Sequence, residues 1–184
     1  MGYRHDRDDM LRAAVEVAMA HGVGAVTYGR VGKVLGISDR TVVYYFATKK
    51  DLLTAVVTHL GGQLQVVLEQ AFGPDPLPAD ELMHRAWPAL TTSESDDVFA
   101  LFFEVIGLAA AKKAPYDELV PQFLDGWIDW LAARVDEGSP AVRRRQAASV
   151  VARIDGLLLL RQICGAQTAE QAAAEQGLRG PSVI

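Results

Sequence analysis

Between Thr27 and Phe46 the apolar positions fall on two short helical faces separated by a turn. Val31, Val34 and Leu35 stand at i, i+3 and i+4, predicting a helix that Thr27 opens as N-cap and Gly36 closes. Glycine accepts the left-handed backbone of a helix end without steric cost, and Ile37 just beyond it folds back as an apolar plug. Ser38 restarts the chain as a second N-cap, with Asp39 in the first turn where a carboxylate suits the helix dipole. Val42 and Phe46, four apart, give this second helix its buried side, which leaves Arg40, Thr41, Tyr44 and Tyr45 outward. A helix of about eight residues is unstable alone, so packing must hold it while it displays those groups.

The flanking pattern is helical throughout. From Asp6 to His21, Leu11, Ala14, Val15 and Ala18 share one face and Gly22 ends it; this helix is expected to close over Val34, Val42 and Phe46. Gly29 and Gly32 sit inside the following helix, each costing about 1 kcal/mol relative to alanine, which implies softness or very close packing. Thr48 and Asp51 approximate a capping box for a long helix running to about Phe72. Gly73-Pro74-Asp75-Pro76-Leu77-Pro78 breaks the chain, and further helices are expected near 79–90, 95–113, 116–137, 140–164 and 168–177, with a loose tail after them. The fold class is therefore all-α: a three-helix N-terminal head over residues 1–50, joined by a long helix to a C-terminal helical bundle over 51–184.

At 184 residues, half of them apolar, the chain can bury a substantial core. No apolar run approaches the ~20 residues of a membrane span and no leader pattern opens the chain, so a cytoplasmic protein with no membrane role is expected. A single cysteine, Cys164, excludes an intramolecular disulfide, and His5, His21, His59 and His84 fall at no ligand spacing, so neither a metal nor a cofactor is expected. The net charge of −5 hides an asymmetry: residues 1–60 carry eight Lys/Arg against six Asp/Glu, net +2, and the remainder ten against seventeen, net −7. A mildly basic head on an acidic body suits a polyanionic partner for the head alone.

Helix, three-residue turn and helix is the arrangement that sets its second member in the DNA major groove. The run Thr27, Val31, Gly36-Ile37-Ser38, Thr41-Val42, Tyr44-Tyr45-Phe46 and Thr48-Lys49-Lys50-Asp51-Leu52-Leu53 resembles the DNA-binding domain of the TetR family of transcriptional regulators. The likeness covers about the first 60 residues; beyond them only Ile154-Asp155-Gly156-Leu157 gives a weak match. It implies phosphate contacts from Thr27, Ser38, Tyr45 and Lys49, with Lys50 added on charge, and Tyr28 is counted among the DNA-binding residues without an assigned contact. Arg40, Thr41 and Tyr44 are the base-edge candidates, Arg40 because its fork fits guanine O6 and N7. The chain departs from the family at Asp39, often basic, at Arg40, often glycine, and at Val43, often tyrosine. Asp39 either repels phosphate or accepts from cytosine N4.

In the body, Trp87, Phe99, Phe102, Phe103, Phe123, Trp127 and Trp130 either fill the core or line an apolar cavity; the resemblance implies that some surround a small-molecule effector. Apolar positions nearly encircle segment 140–164, so burial on more than one side is expected, with Val150, Ile154, Leu157, Leu158 and Arg161 at a two-fold homodimer interface. Asp155 interrupts that run and either meets a partner, faces water or touches a polar ligand group. The expectation is a ligand-responsive regulator, most simply a repressor, that binds a palindromic double-stranded DNA operator as a homodimer. The alternative is a helical small-molecule-binding protein or enzyme with an accessory head; against it, no nucleophile elbow, phosphate loop, dinucleotide fingerprint or HExxH pair occurs.

Overall fold

The structure, a computed structural model, describes residues 5–178; the first four residues and the tail from residue 179 lie outside them. The described residues are helical: α1 (Arg7–His21), a 3-10 turn (Val23–Ala25), α2 (Tyr28–Leu35), α3 (Asp39–Tyr45), α4 (Lys49–Phe72), α5 (Ala79–Leu90), α6 (Ser93–Ala110), α7 (Tyr116–Ala132), α8 (Pro140–Cys164) and α9 (Ala166–Glu175). They group into two compact units, the first taking in the chain up to Gly62 with Leu101–Leu119, the second Gln63–Ala100 with the chain from Val120 onward. The first unit thus reaches past the 1–50 expected for the head, into α4, α6 and α7.

In the first unit α1, α2 and α3 pack on one another around Met10, Ala14, Val17, Val23, Val26, Val31, Val42 and Phe46, all nearly or fully buried. The caps act as the sequence requires. Asp6 and Asp9 satisfy each other's backbone N–H at 2.9 Å, and Asp51 and Thr48 form the same reciprocal box at 3.0 Å at the α4 start. Val34 corrects the expected α2 face: it is 43% exposed, and Val31 with Gly32 forms the buried edge instead.

The second unit is built on α8, which packs against α5 and α9 through Ala147, Val150, Ile154, Leu157 and Leu158. Leu82, Met83, Ala86 and Trp87 supply the facing side of α5. The strap after α4 is tied by the Leu77 N–H to the Arg134 carbonyl at 2.8 Å and the Asp136 N–H to the Leu77 carbonyl at 3.1 Å. Helix α4 is long and apolar enough to cross a membrane by length and composition alone, yet Leu52, Leu53, Val56, Val57, Leu60 and Leu68 are buried inside the protein.

The two α2 glycines differ in what a side chain would meet. A Cβ on Gly32 would come within 2.8 Å of the Ile37 carbonyl oxygen, whereas one on Gly29 would meet nothing within 4 Å. Gly29→Ala should therefore raise stability by about 0.5–1 kcal/mol through helix propensity. Gly32→Ala should forfeit that gain, because backbone must move. Urea unfolding of the two variants checks the difference, and equal stabilisation would show that α2 approaches the turn less closely than described.

Candidate nucleic-acid interface

Helix α3 has seven residues, so its conformation is imposed from outside. Gly36 takes the left-handed conformation (φ 68°, ψ 29°), and the Ile37 N–H returns to the Gly32 carbonyl at 2.9 Å, which turns the chain sharply out of α2. Ser38 Oγ then accepts from the Thr41 N–H at 3.4 Å and opens α3. At the far end the guanidinium of Arg7 lies 4.6 Å from the ring centroid of buried Phe46. The Tyr45 hydroxyl donates to the His5 carbonyl at 3.0 Å, so the start of α1 grips the end of α3.

Opposite the buried Val42, the exposed face of α3 carries Asp39, Arg40, Thr41, Val43 and Tyr44, with Tyr44 83% exposed. Asp39 is engaged locally, its carboxylate accepting the Arg40 N–H at 2.7 Å. Thr27, at the α2 N-cap, accepts from the Arg30 N–H at 3.3 Å, which leaves its own O–H free to donate outward. Ser38 and Thr41 share a hydroxyl–hydroxyl contact of 3.0 Å. Tyr45 stands edge-on to Tyr44, ring centroids 5.2 Å apart.

Two members of the expected set are placed differently. The Tyr28 hydroxyl is buried with no hydrogen-bond partner among the described residues, and burial pushes its pKa upward. Lys50 donates to Glu118 Oε2 at 2.6 Å, a pairing that holds the lysine pKa up and the glutamate pKa down. Lys49, its neighbour, remains exposed at the α4 start.

Sequence reasoning missed Glu104. From α6 its two carboxylate oxygens accept the N–H groups of Val23 (2.9 Å) and Gly24 (3.3 Å), capping the 3-10 turn between α1 and α2. The contact spans 81 residues, so no local pattern announces it. Gly22 permits the approach: its φ is +82°, and a Cβ there would sit 2.8 Å from Glu104 Oε2.

The aromatic residues expected around an effector fall into separate groups. Trp87 is fully buried, its indole N–H donating to Glu170 at 3.3 Å, and Phe99 is buried in the same unit. Phe123, Trp127 and Trp130 form a ladder along α7, centroids 6.1 and 5.3 Å apart, ending at Phe72 and at Arg134, whose guanidinium stacks 3.9 Å over Trp130. Phe102 and Phe103 belong to the first unit. Asp155, half-buried on α8, makes no hydrogen bond or ion pair among the described residues, and desolvation pushes its pKa up to about 7.

The expected dimer residues need correction. Val150, Ile154, Leu157 and Leu158 are the inner face of α8, buried within their own chain and unavailable to a second copy. Arg161 is spent on Asp96, holding both carboxylate oxygens at 2.6 and 2.8 Å. The outward line of α8 is Ser149, Ala152, Gly156, Leu159, Leu160 and Ile163, the last 77% exposed.

Residues 10–56 match the family model of bacterial regulatory proteins, tetR family. Solved structures of similar fold include a Rhodococcus sp. protein described as a TetR-family transcriptional regulator (16% identity, 95% of this chain and 98% of that one, TM-score 0.73). A TetR transcriptional regulator from Legionella pneumophila follows (19%, 97% and 100%, 0.65), as does the multidrug binding protein EbrR complexed with imidazole (19%, 98% and 99%, 0.66). No curated protein matches the sequence. The whole chain thus shares its fold with solved structures of transcriptional regulators, and the head carries a helix-turn-helix. Over residues 10–56 the head is similar to the tetR family of bacterial regulatory proteins.

Asp155 makes stability depend on pH in a fixed direction. Its carboxyl is protonated in the folded chain up to about pH 7 but ionised above 3.8 when unfolded, so the folded state binds the extra proton between these values. Stability must fall as pH rises through that window and level off above it. Asp155→Asn removes the slope and should be more stable than the wild type at pH 8, on the order of 2 kcal/mol, and about equal near pH 4. Urea midpoints for both proteins across this range give the answer, and a difference that does not change with pH would refute the buried, unpaired carboxylate.

Proposed function

We propose that the protein is an effector-responsive repressor that binds a palindromic operator as a homodimer in the cytoplasm, with no catalytic activity of its own. The observation that carries the reading is the fixed, outward face of α3, where Arg40 and Tyr44 stand exposed above a fully buried Val42. Arg40 reads a guanine, Thr41 and Tyr44 contact neighbouring base edges, and Thr27, Ser38 and Lys49 fix the head on the phosphates. Two copies place two such helices about 34–36 Å apart, or a multiple of it, which demands inverted half-sites.

The dimer in this reading forms on the outward line of α8. Ser149, Ala152 and Gly156 let backbones approach closely, and Leu159, Leu160 and Ile163 supply apolar area at the helix end. For induction, EbrR complexed with imidazole and with proflavin supports a small-molecule effector by likeness of fold. The unpaired Asp155 favours an effector that brings it a cationic or hydrogen-bond-donating group. Such a ligand represses or induces only through the difference in its affinity for the DNA-competent and incompetent shapes.

Selection from a random duplex pool tests the central claim. Inverted half-sites should be enriched, and Arg40→Ala should lose about 1–3 kcal/mol of binding and relax preference at one base pair per half-site. An unchanged base profile would remove Arg40 from the readout, and no enrichment at all would remove the regulator. The dimer is tested separately: Ile163→Lys should shift the protein from dimer to monomer in sedimentation while retaining its helical spectrum. A wild-type protein that sediments as a monomer at all concentrations would refute the α8 interface.

A further inference from the structure

We propose that Val43 is a specificity-determining residue of the operator contact and that it reads the C5-methyl group of a thymine. The inference rests on the proposed DNA-binding role of α3 and adds a base identity to it.

Val43 is 39% exposed on a helix whose core anchor is its neighbour Val42, at zero exposure. It follows Arg40 by three residues and Asp39 by four, so its side chain stands in the same exposed patch as the guanidinium, with Tyr44 beside it. It is the apolar side chain of an outward face otherwise made of Asp39, Arg40, Thr41 and Tyr44.

Its chemistry narrows the target. Valine has no donor or acceptor, so it contributes nothing to a phosphate oxygen, to guanine O6 and N7, to adenine N6 and N7 or to cytosine N4. The thymine methyl is the apolar group that the major groove offers. A β-branched side chain in a helix keeps essentially one χ1 rotamer, so the two methyl groups of Val43 are held in place before binding and lose little freedom on contact.

Position along the helix sets the register. Three residues advance about 4.5 Å along α3, a little over one base-pair step of about 3.4 Å. The thymine should therefore lie one or two base pairs from the guanine bound by Arg40, within the same half-site.

The test uses the full-length protein and the duplex that selection enriches for it. Replacing the candidate thymine by uracil deletes only the methyl group, and wild-type affinity should fall about three- to fourfold per half-site, the worth of one buried methyl. Val43→Ala should bind the thymine duplex more weakly and show no loss on going to uracil, and its selected sites should no longer favour thymine at that position. Val43→Ile, which keeps a branched apolar contact, should retain the thymine-over-uracil preference. If uracil and thymine duplexes bind wild type equally at every position near the guanine, or if Val43→Ala keeps the full methyl preference, the assignment to Val43 is overturned while DNA binding stands. If the wild type enriches no sequence from the pool, both the assignment and the underlying DNA-binding role are overturned.

Discussion

The structure depends on pinning a helix that cannot exist by itself. Seven residues form at most a few internal hydrogen bonds, which do not repay nucleation, so α3 exists because Val42 and Phe46 are buried against α1 and α2. Each device around it removes a way for it to move. The left-handed Gly36 fixes the turn, Gly32 lets the turn backbone press against α2, Ser38 fixes the first residue, and the Tyr45 hydroxyl ties the last turn to the His5 carbonyl. A helix held on its inner side and at both ends can expose Arg40, Val43 and Tyr44 with little left to order when a partner arrives.

The same unit recruits polar support from far along the chain. Leu101–Leu119 groups with the head, and two acidic residues of that segment act on it, Glu104 on the amides of Val23 and Gly24 and Glu118 on Lys50. Charge bookkeeping by sequence halves therefore misstates the head. Its exposed lysines are not all uncompensated: Lys50 is paired with the Glu118 carboxylate, and Lys49 keeps its charge exposed. Glu104 matters for a different reason, because the 3-10 turn offers N–H groups with no helical partner and a carboxylate satisfies two of them at once.

The local parts of this fold were legible in the sequence because their causes are local. Caps at Thr27, Ser38 and Thr48, the stop at Gly36 and the breaker after Phe72 are each decided within a few residues. Facing directions were less legible. In α8 four consecutive leucines, Leu157 to Leu160, satisfy any helical phase, so periodicity could not tell that Leu157 and Leu158 point inward and Leu159 and Leu160 outward. The small residues Ser149, Ala152 and Gly156 that continue the outward line carry no hydrophobic signal at all. Tyr28 follows the cap Thr27 in the DNA-binding set, and only tertiary packing decides that its hydroxyl is buried. The aromatic residues share composition without sharing a place: Trp87 fills core, and Trp127 and Trp130 line up along α7 with Phe72 and Arg134.

The exposed edge of α8 and the exposed face of α3 are connected by arithmetic. One α3 offers about four side chains, and each well-made base contact discriminates by roughly 1–3 kcal/mol, so a single head reads too few base pairs to stand out against a genome of competing sites. Lengthening α3 would not help, because its stability comes from the small core beneath it and a longer helix would overhang that support. Doubling the reader is the physically cheaper solution, since the second copy adds its contacts without a new fold. It requires a surface that pairs copies with fixed geometry. On the proposed reading the residues left bare on α8, small where backbones must meet and apolar at the end, supply it, and the three exposed side chains Leu159, Leu160 and Ile163 acquire a reason to be where water would otherwise cover them.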